Sequence, residues 1–133
     1  MITTTLNLRV RYAETDGMGF AYHANYLIWF EMARVQMMDE IECPYRGLEE
    51  DGYRLPVLEA GLRYLRPATF DDRLSVEAVM REKPGLRMRI EYQVFRAKER
   101  IAEGFTRHAF INASGKPVRP PARFMEKANA LFP

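Results

Sequence analysis

The chain has 133 residues, of which 47% are hydrophobic and 29% charged, and these values predict a folded globular protein with one core rather than a disordered or fibrous one. Its 20 basic and 18 acidic residues are mixed along the sequence and give a formal charge of +2, which is too small to indicate a nucleic-acid partner. Cys43 is the only cysteine, no segment has the form of a signal peptide, and no apolar run approaches the ~20 residues of a membrane-spanning helix. We therefore expect a single cytoplasmic domain over residues 1–133, without a disulfide or a membrane span.

The first predicted element is a strand from Thr5 to Glu14, where apolar and polar residues alternate with a period of two. Its expected buried side carries Leu6, Leu8, Val10 and Tyr12. The strand is expected to end before Asp16-Gly17, a dipeptide typical of turns.

The second predicted element is a long helix over residues 24–41, a segment without glycine or proline. Apolar residues occupy most of its circumference, so we expect the rest of the chain to enclose it on nearly all sides. These residues are Tyr26, Leu27, Ile28, Trp29, Phe30, Met32, Ala33, Val35, Met37, Met38 and Ile41.

Four predicted strands follow a short helical link over residues 44–52, and they span about residues 55–66, 73–82, 86–96 and 100–112. Short turns at Lys83-Pro84-Gly85 and Lys98-Glu99 predict that the last three strands form an antiparallel meander. A last short helix is expected after Pro120-Pro121. This order predicts an α+β fold in which a curved antiparallel sheet of about five strands encloses one long helix.

Asp16, between the first strand and the helix, allows two interpretations. Asp-Gly can simply form a turn, because aspartate caps its own backbone and glycine tolerates a positive φ. Alternatively, Gly17 and Gly19 let the backbone approach another group closely, and the nearby helix start supplies unpaired N–H donors. A carboxylate facing such donors suits acyl transfer at a thioester, where the carboxylate attacks the carbonyl or activates water and the N–H groups stabilise the oxyanion.

Other candidate catalytic groups are less convincing in the sequence. His23 and His108 are far apart and lack the ligand spacing of a zinc site, so no metal is expected. Cys43 has no neighbour that would lower its pKa and is expected to be buried and inert. Ser75 and Ser114 lack the context of a serine hydrolase.

Glu31 is the rival carboxylate, because it stands in the middle of the apolar helix. The simpler interpretation is an ion pair with Arg34, three residues later on the same helix.

The stretch RVRYAETDGMGFAYHANYLIWFEMAR resembles the opening motif of the hotdog-fold acyl-CoA thioesterases, in the branch that contains YbgC and 4-hydroxybenzoyl-CoA thioesterase. The likeness continues through LRYLRPATFDDRL and AEGFTRHAFINASGKPVRPP, so it covers most of the chain. The resemblance implies that Asp16 is the catalytic aspartate and that the backbone N–H of His23 polarises the thioester carbonyl. It also implies positions around the acyl pocket for Tyr22, Asn25 and Tyr26.

The same resemblance implies a dimer in which two sheets join edge to edge, with active sites at the interface, and dimers that commonly pair into a tetramer. An open sheet edge is a liability that another chain can cover, which agrees with this expectation. Candidate residues for the phosphates of CoA are Arg87 and Arg89, expected on one strand face, and Lys116 and Arg119 in SGKPVRPP, although exposed arginines on a strand are common.

The predicted function is therefore hydrolysis of an acyl-CoA thioester to a carboxylic acid and CoA, without a cofactor. The alternatives are a non-catalytic module that binds acyl-CoA or acyl-carrier protein, and a hydratase of the same fold. The sequence leaves open whether Asp16 is a nucleophile or a general base, and whether the acyl group is aromatic or short and aliphatic.

Overall fold

A five-stranded antiparallel sheet packed against one long helix forms the framework of the computed structural model, which describes residues 1–133. The strands are β1 (Ile2–Arg9), β2 (Tyr53–Arg54), β3 (Val57–Tyr64), β4 (Arg73–Met80), β5 (Met88–Arg96), β6 (Glu99–His108) and β7 (Ile111–Asn112). The helices are α1 (Asn25–Glu40), α2 (Tyr45–Glu50) and α3 (Ala122–Asn129). None of these helices has the length and apolar character needed to cross a membrane.

The strand order in the main sheet is β1-β4-β5-β6-β3, and every neighbouring pair is antiparallel. The predicted meander is confirmed, because β4, β5 and β6 are adjacent in both sequence and space. The segment expected as one strand over 100–112 is divided instead, since β7 pairs with β2 in a separate two-stranded sheet. The predicted α+β class, with one sheet around one long helix, is confirmed.

The core lies between the inner face of the sheet and α1. The period of two in β5 is confirmed over the strand itself, where alternate side chains are buried against the helix: Met88, Ile90, Tyr92 and Val94. The ring of Phe30 in α1 stacks on that of Tyr92 with a centroid distance of 4.1 Å. This contact fixes the helix across the middle of the sheet.

The prediction for the first strand was wrong at both ends. β1 begins at Ile2, before the expected Thr5, and stops at Arg9, while Tyr12 lies in a 3-10 turn (Tyr12–Glu14) with 72% of its surface exposed. Val10 still donates to the carbonyl of Asp72 and accepts from the N–H of Asp71, but the chain then turns away from the sheet. The alternation of residue types continues past the point where strand pairing ends.

The expectation that α1 is enclosed on nearly all sides was wrong for a single chain. Six residues of the helix are buried on the sheet side, but four large apolar residues remain between 40% and 51% exposed: Leu27, Ile28, Met32 and Val35. The sheet covers one face only, because its five strands curve around one side of the helix. An apolar helix face is left open in the monomer.

Candidate active site

The loop between β1 and α1 is closed on itself around Asp16. The N–H of Asp16 donates to the carbonyl of Phe20 at 2.8 Å, and the N–H of Gly19 donates to the carbonyl of Asp16 at 2.9 Å. Gly19 has a φ of 81°, a conformation that favours glycine. The expected close approach at Gly17 and Gly19 is not seen within this chain, since a Cβ at either position would meet no atom within 4 Å.

The carboxylate of Asp16 caps this loop and also lines a cleft. Its Oδ1 accepts from the N–H groups of Met18 at 2.9 Å and Phe20 at 3.3 Å, as the turn interpretation predicts. Its Oδ2 has no hydrogen-bond partner within the chain. One oxygen therefore fixes the orientation of the side chain while the other stays available for chemistry.

The cleft has a volume of about 320 Å³ and brings three of the predicted site residues together: Asp16, His23 and Tyr26. Its other lining residues come from the Asp16 loop and from the end of β3 with the turn that follows: Met18, Phe20, Ala21, Tyr64, Leu65, Arg66 and Pro67. The cleft thus lies between the start of α1 and one end of the edge strand β3.

The helix start beside this cleft carries free backbone donors. The first turn is closed by a bond from the N–H of Asn25 to the carbonyl of Tyr22 at 2.9 Å, and the N–H groups of His23 and Ala24 have no acceptor within the chain. The helix has no side-chain cap, and the His23 ring lies outside it against the ring of Tyr22. Unpaired N–H groups and the positive end of the helix dipole favour negative charge at this point.

Glu14 is a buried carboxylate that the sequence analysis missed, and it ties the loop to α1. Glu14 as a whole residue is 6% exposed. Its carboxylate accepts from the N–H of Arg11 and from the indole N–H of Trp29, both at 2.8 Å. Burial alone would raise the pKa of Glu14, but these hydrogen bonds outweigh it and lower the pKa below its usual range. The backbone carbonyl of Glu14 accepts from the side chain of Asn25 at 2.7 Å.

A second set of hydrogen bonds fixes the opposite wall of the cleft, which is the turn after β3. The N–H of Ala21 donates to the carbonyl of Ala68 at 2.8 Å, which joins the Asp16 loop to the turn after β3. The carboxylate of Asp72 accepts from the N–H of Thr69 and from the guanidinium of Arg96, both at 2.9 Å. Burial opposes the charge of Asp72, yet these bonds lower its pKa, so the turn is pinned by an ionised carboxylate.

Tyr64 is a further residue of the cleft that was not predicted from the sequence, and it links the two walls of the cleft. Its hydroxyl donates to the carbonyl of His23 at 2.8 Å, and its ring meets the ring of Tyr26 edge-on at 5.0 Å. Burial raises the pKa of Tyr64. The two residues are 41 positions apart, so no local pattern could have predicted the contact.

The predicted acyl-pocket residues occupy different places. Tyr26 is 2% exposed and forms a wall of the cleft, and burial raises the pKa of its hydroxyl. Asn25 points its amide to the carbonyl of Glu14, so it supports the loop. Tyr22 is half exposed and is not among the residues that line the cleft.

The four predicted phosphate-binding residues lie outside the cleft of this chain. Arg87 precedes β5, so the expectation that it shares a strand face with Arg89 was wrong. The Arg89 guanidinium lies 4.1 Å above the ring of Phe105. Lys116 and Arg119 lie in the exposed segment after β7. A role for these residues with CoA phosphates stays a prediction.

Glu31 and Arg34 line a second pocket of about 390 Å³, between α1, α2 and the start of β3. The predicted ion pair was wrong, because no N···O distance between the two side chains is within 4.0 Å. Arg34 instead donates to the hydroxyl of Tyr92 at 3.2 Å, the first member of a buried chain through Thr106 to His108. Burial lowers the pKa of His108 to about 4, so this ring is neutral near pH 7.

Cys43 is 2% exposed, and burial raises the pKa of its thiol, so the prediction of a buried cysteine is confirmed. No cluster of three or more histidine, cysteine or carboxylate side chains suitable for a metal ion is present.

A five-stranded sheet curved around one helix, with the Asp16 carboxylate and His23 of the helix start lining one cleft, is the architecture of a thioester hydrolase of the hotdog fold. The sequence model of the thioesterase-like superfamily matches residues 10–128, and the chain belongs to this superfamily.

Individual relatives agree with this membership. The acyl-CoA thioesterase YbgC of Haemophilus influenzae is 29% identical over 126 residues, which cover 94% of this chain and 90% of that protein. The crystal structure of a DHNA-CoA thioesterase from Staphylococcus aureus is similar with a TM-score of 0.93 and 28% identity, covering 98% of this chain and 91% of the other. The structure of the protein TT1821 from Thermus thermophilus is similar with a TM-score of 0.91 and 33% identity, covering 96% and 98% of the two chains.

Proposed function

We propose that this protein hydrolyses an acyl-CoA thioester to the free carboxylic acid and CoA, with Asp16 as the catalytic carboxylate. The observation that carries the proposal is that Asp16 and His23 line the same cleft at the start of α1, and that the N–H of His23 has no acceptor within the chain. The sequence motif and the superfamily membership support it.

The reaction needs few groups because a thiolate leaves easily. Oδ2 of Asp16 either attacks the thioester carbonyl, giving an acyl-enzyme anhydride that water then hydrolyses, or removes a proton from an attacking water. In both routes negative charge grows on the carbonyl oxygen, and the amide of His23 at the helix start stabilises it. The bonds from Met18 and Phe20 to Oδ1 keep the carboxylate in one orientation throughout.

We propose that the functional unit is a homodimer joined through β3. Six of the eight residues of β3 are exposed, and the backbone groups on the free side of this edge strand would otherwise stay unpaired in solvent. The opposite edge strand, β1, is partly covered, because the side chain of Gln36 donates to the carbonyl of Thr5 at 2.8 Å. The free edge next to the cleft is therefore the better interface.

This dimer would join the two pockets described above. Tyr64 and the Asp16 cleft lie at one end of β3, whereas Val57 and the pocket with Glu31 and Arg34 lie at the other end. When two copies of one strand pair antiparallel about a two-fold axis, the first end of one meets the last end of the other. We propose that the acyl group extends from the Asp16 cleft of one copy into the second pocket of its partner.

The remaining parts of the proposal concern the outer regions of the molecule. The candidates for binding the CoA phosphates stay the four exposed basic residues Arg87, Arg89, Lys116 and Arg119.

The exposed face of α1 around Ile28 and Met32 would join two dimers into a tetramer. The whole chain, 1–133, is proposed as one domain, and its unpaired cysteine is compatible with the cytoplasm.

The test is the Asp16→Asn variant, which keeps the size of the side chain and removes its charge. With a panel of aromatic and short aliphatic acyl-CoAs, release of free thiol should fall by several orders of magnitude, a loss of at least about 4 kcal/mol in transition-state stabilisation. The circular dichroism spectrum should not change.

Glu31→Gln is the matched control, because it removes the other candidate carboxylate. It should retain kcat within about tenfold. A variant Asp16→Asn with near-normal kcat, or a collapse of activity in Glu31→Gln alone, contradicts the choice of Asp16. A wild-type protein that binds acyl-CoA but releases no thiol from any of them would instead be a binding module.

A further inference from the structure

Tyr64 is the only residue of the main sheet whose side chain bonds to the backbone at the start of α1. It is the last residue of β3, and its hydroxyl donates to the carbonyl of His23 at 2.8 Å. The contact crosses the cleft, since both residues line it. The bond therefore connects the edge strand to His23, the residue whose N–H is the proposed oxyanion donor.

The position of Tyr64 is defined by its neighbours. Its register partner in β6, Ala102, is fully buried on the inner face of the sheet, so Tyr64 faces α1. Its ring also meets the ring of Tyr26 edge-on at 5.0 Å and lies edge-on to the ring of His23 at 6.4 Å. These contacts hold the hydroxyl in place although 44% of the residue is exposed.

The hydrogen bond restrains the backbone donors of the helix start. A peptide unit is planar, so holding the carbonyl of His23 fixes the plane that carries the N–H of Ala24. It also limits rotation about the backbone bonds of His23, which orient the preceding peptide and with it the N–H of His23. Both N–H groups lack an acceptor within the chain, and donors that are already aligned stabilise a developing charge without a cost of reorganisation.

We propose that Tyr64 is a positioning residue for the oxyanion donors, acting through its hydrogen bond to the carbonyl of His23. This inference rests on the proposed thioesterase function. Tyr64 does not act as a general acid, because its proton is committed to the carbonyl of His23 and burial raises its pKa. Its effect reaches the substrate through the backbone.

The first experiment compares the full-length Tyr64→Phe variant with the wild-type protein. The substitution removes one hydroxyl and keeps the ring that packs against Tyr26. With the most active acyl-CoA of the panel, kcat should fall about 10- to 100-fold while KM stays within about threefold. Tyr12→Phe is the matched control, because Tyr12 is 72% exposed and its hydroxyl has no partner, and it should leave both constants unchanged.

The second experiment measures the alignment of the donors without turnover. In a CoA ketone analogue, a methylene group replaces the thioester sulfur, so the molecule keeps the carbonyl but cannot be hydrolysed. Its carbonyl stretching frequency should shift down on binding to the wild-type protein, because hydrogen bonds polarise the carbonyl. In Tyr64→Phe the shift should be at least halved.

A third measurement separates this inference from the proposed function. The carbonyl ¹³C resonance of His23 in the ligand-free protein should move in Tyr64→Phe and stay in place in Tyr12→Phe, whether or not any acyl-CoA is hydrolysed. Unchanged kcat in Tyr64→Phe overturns the inference, and so does a rise in KM alone, which would make Tyr64 a binding contact. A fall in kcat with an unchanged carbonyl shift of the ketone also overturns it. If the wild-type protein hydrolyses nothing while the ¹³C resonance moves as expected, the proposed function fails and the hydrogen bond stands.

Discussion

Glu14 shows how a single buried charge determines the shape of the active-site loop. Its carboxylate holds the backbone of Arg11 and the indole of Trp29, and its carbonyl holds the side chain of Asn25. The loop that carries Asp16 begins immediately afterwards. A carboxylate with so little exposure is tolerated only because both of its oxygens accept hydrogen bonds.

Glu14→Gln should destabilise the protein by about 1–3 kcal/mol near pH 7, because the variant replaces charge-assisted bonds with neutral ones. The sign of the pH dependence follows from the lowered pKa of the folded state. Below the ordinary value of 4.5 the unfolded chain takes up the proton first, so the stabilisation is present above about pH 5 and is lost as the pH falls through the folded pKa.

Urea unfolding of Glu14→Gln and wild type between pH 7 and pH 3 checks this prediction, and the difference between the two proteins should shrink on acidification. Glu82→Gln is the control, because Glu82 is exposed and forms no ion pair, and it should follow the wild type. A difference that stays constant or grows at low pH would contradict the proposed role of the charge.

At the scale of single residues, the sequence predicts contacts between residues that are close in the chain and misses contacts between residues that are far apart in it. Asp16, His23 and Tyr26 fall within eleven positions, so the motif around them is visible before folding, and the structure brings them into one cleft. The hydroxyl of Tyr64 meets the helix start only because the end of β3 passes beside it. Similarly, the ion pair expected between Glu31 and Arg34 is replaced by a bond to Tyr92, which lies 58 positions from Arg34.

At the scale of elements, the close packing of α1 on the sheet depends on a glycine. Gly104 in β6 lies under the ring of Phe30, and an added Cβ would be 2.8 Å from the Phe30 ring and would collide with the carbonyl oxygen of Gly61. The carbonyl belongs to the neighbouring strand and cannot move aside without disturbing the pairing of β3 with β6. The absence of a side chain at this position allows the helix to approach the sheet.

Gly104→Ala should therefore destabilise the fold by about 1–3 kcal/mol, although alanine suits a strand better than glycine does. Gly85→Ala offers a matched control, because a Cβ there meets nothing within 4 Å. The control should be neutral or more stable by up to about 1 kcal/mol. Chemical denaturation of both variants measures their free energies of unfolding. Equal effects of the two substitutions would contradict the claim that Gly104 is needed for close packing of α1 on the sheet.

The elements themselves could be predicted well from periodicity, and the failures have a common cause. The period of two in β5 and the uninterrupted apolar run of α1 depend on local residue order, and both elements are found where the sequence predicts them. The end of β1 and the division of the last predicted strand depend on where a pairing partner stops. Periodicity carries no information about the length of a neighbouring strand.

At the scale of the whole molecule, the free edge of β3 connects several features that one chain leaves unexplained. The free edge of β3 borders the Asp16 cleft at one end and the pocket with Glu31 at the other. Leu27 and Val35, exposed on α1, lie one turn to either side of Glu31. In the proposed dimer, a second copy paired along this edge would bring the Asp16 cleft of one chain next to the second pocket of the other.

Leu58→Lys tests this arrangement directly. Leu58 lies in β3 and is 49% exposed, so a lysine there leaves the monomer fold intact but places a charge in the proposed interface. We expect sedimentation to show monomers with a native circular dichroism spectrum and with thiol release reduced at least 100-fold, because each cleft then lacks the second pocket. Ile28→Lys, on the outer face of α1, is the paired variant, and it should yield active dimers because that residue belongs to the proposed contact between dimers. Full activity in a monomeric Leu58→Lys variant would show that one chain suffices for catalysis, and the acyl group would then have to bind within the cleft of Asp16 alone.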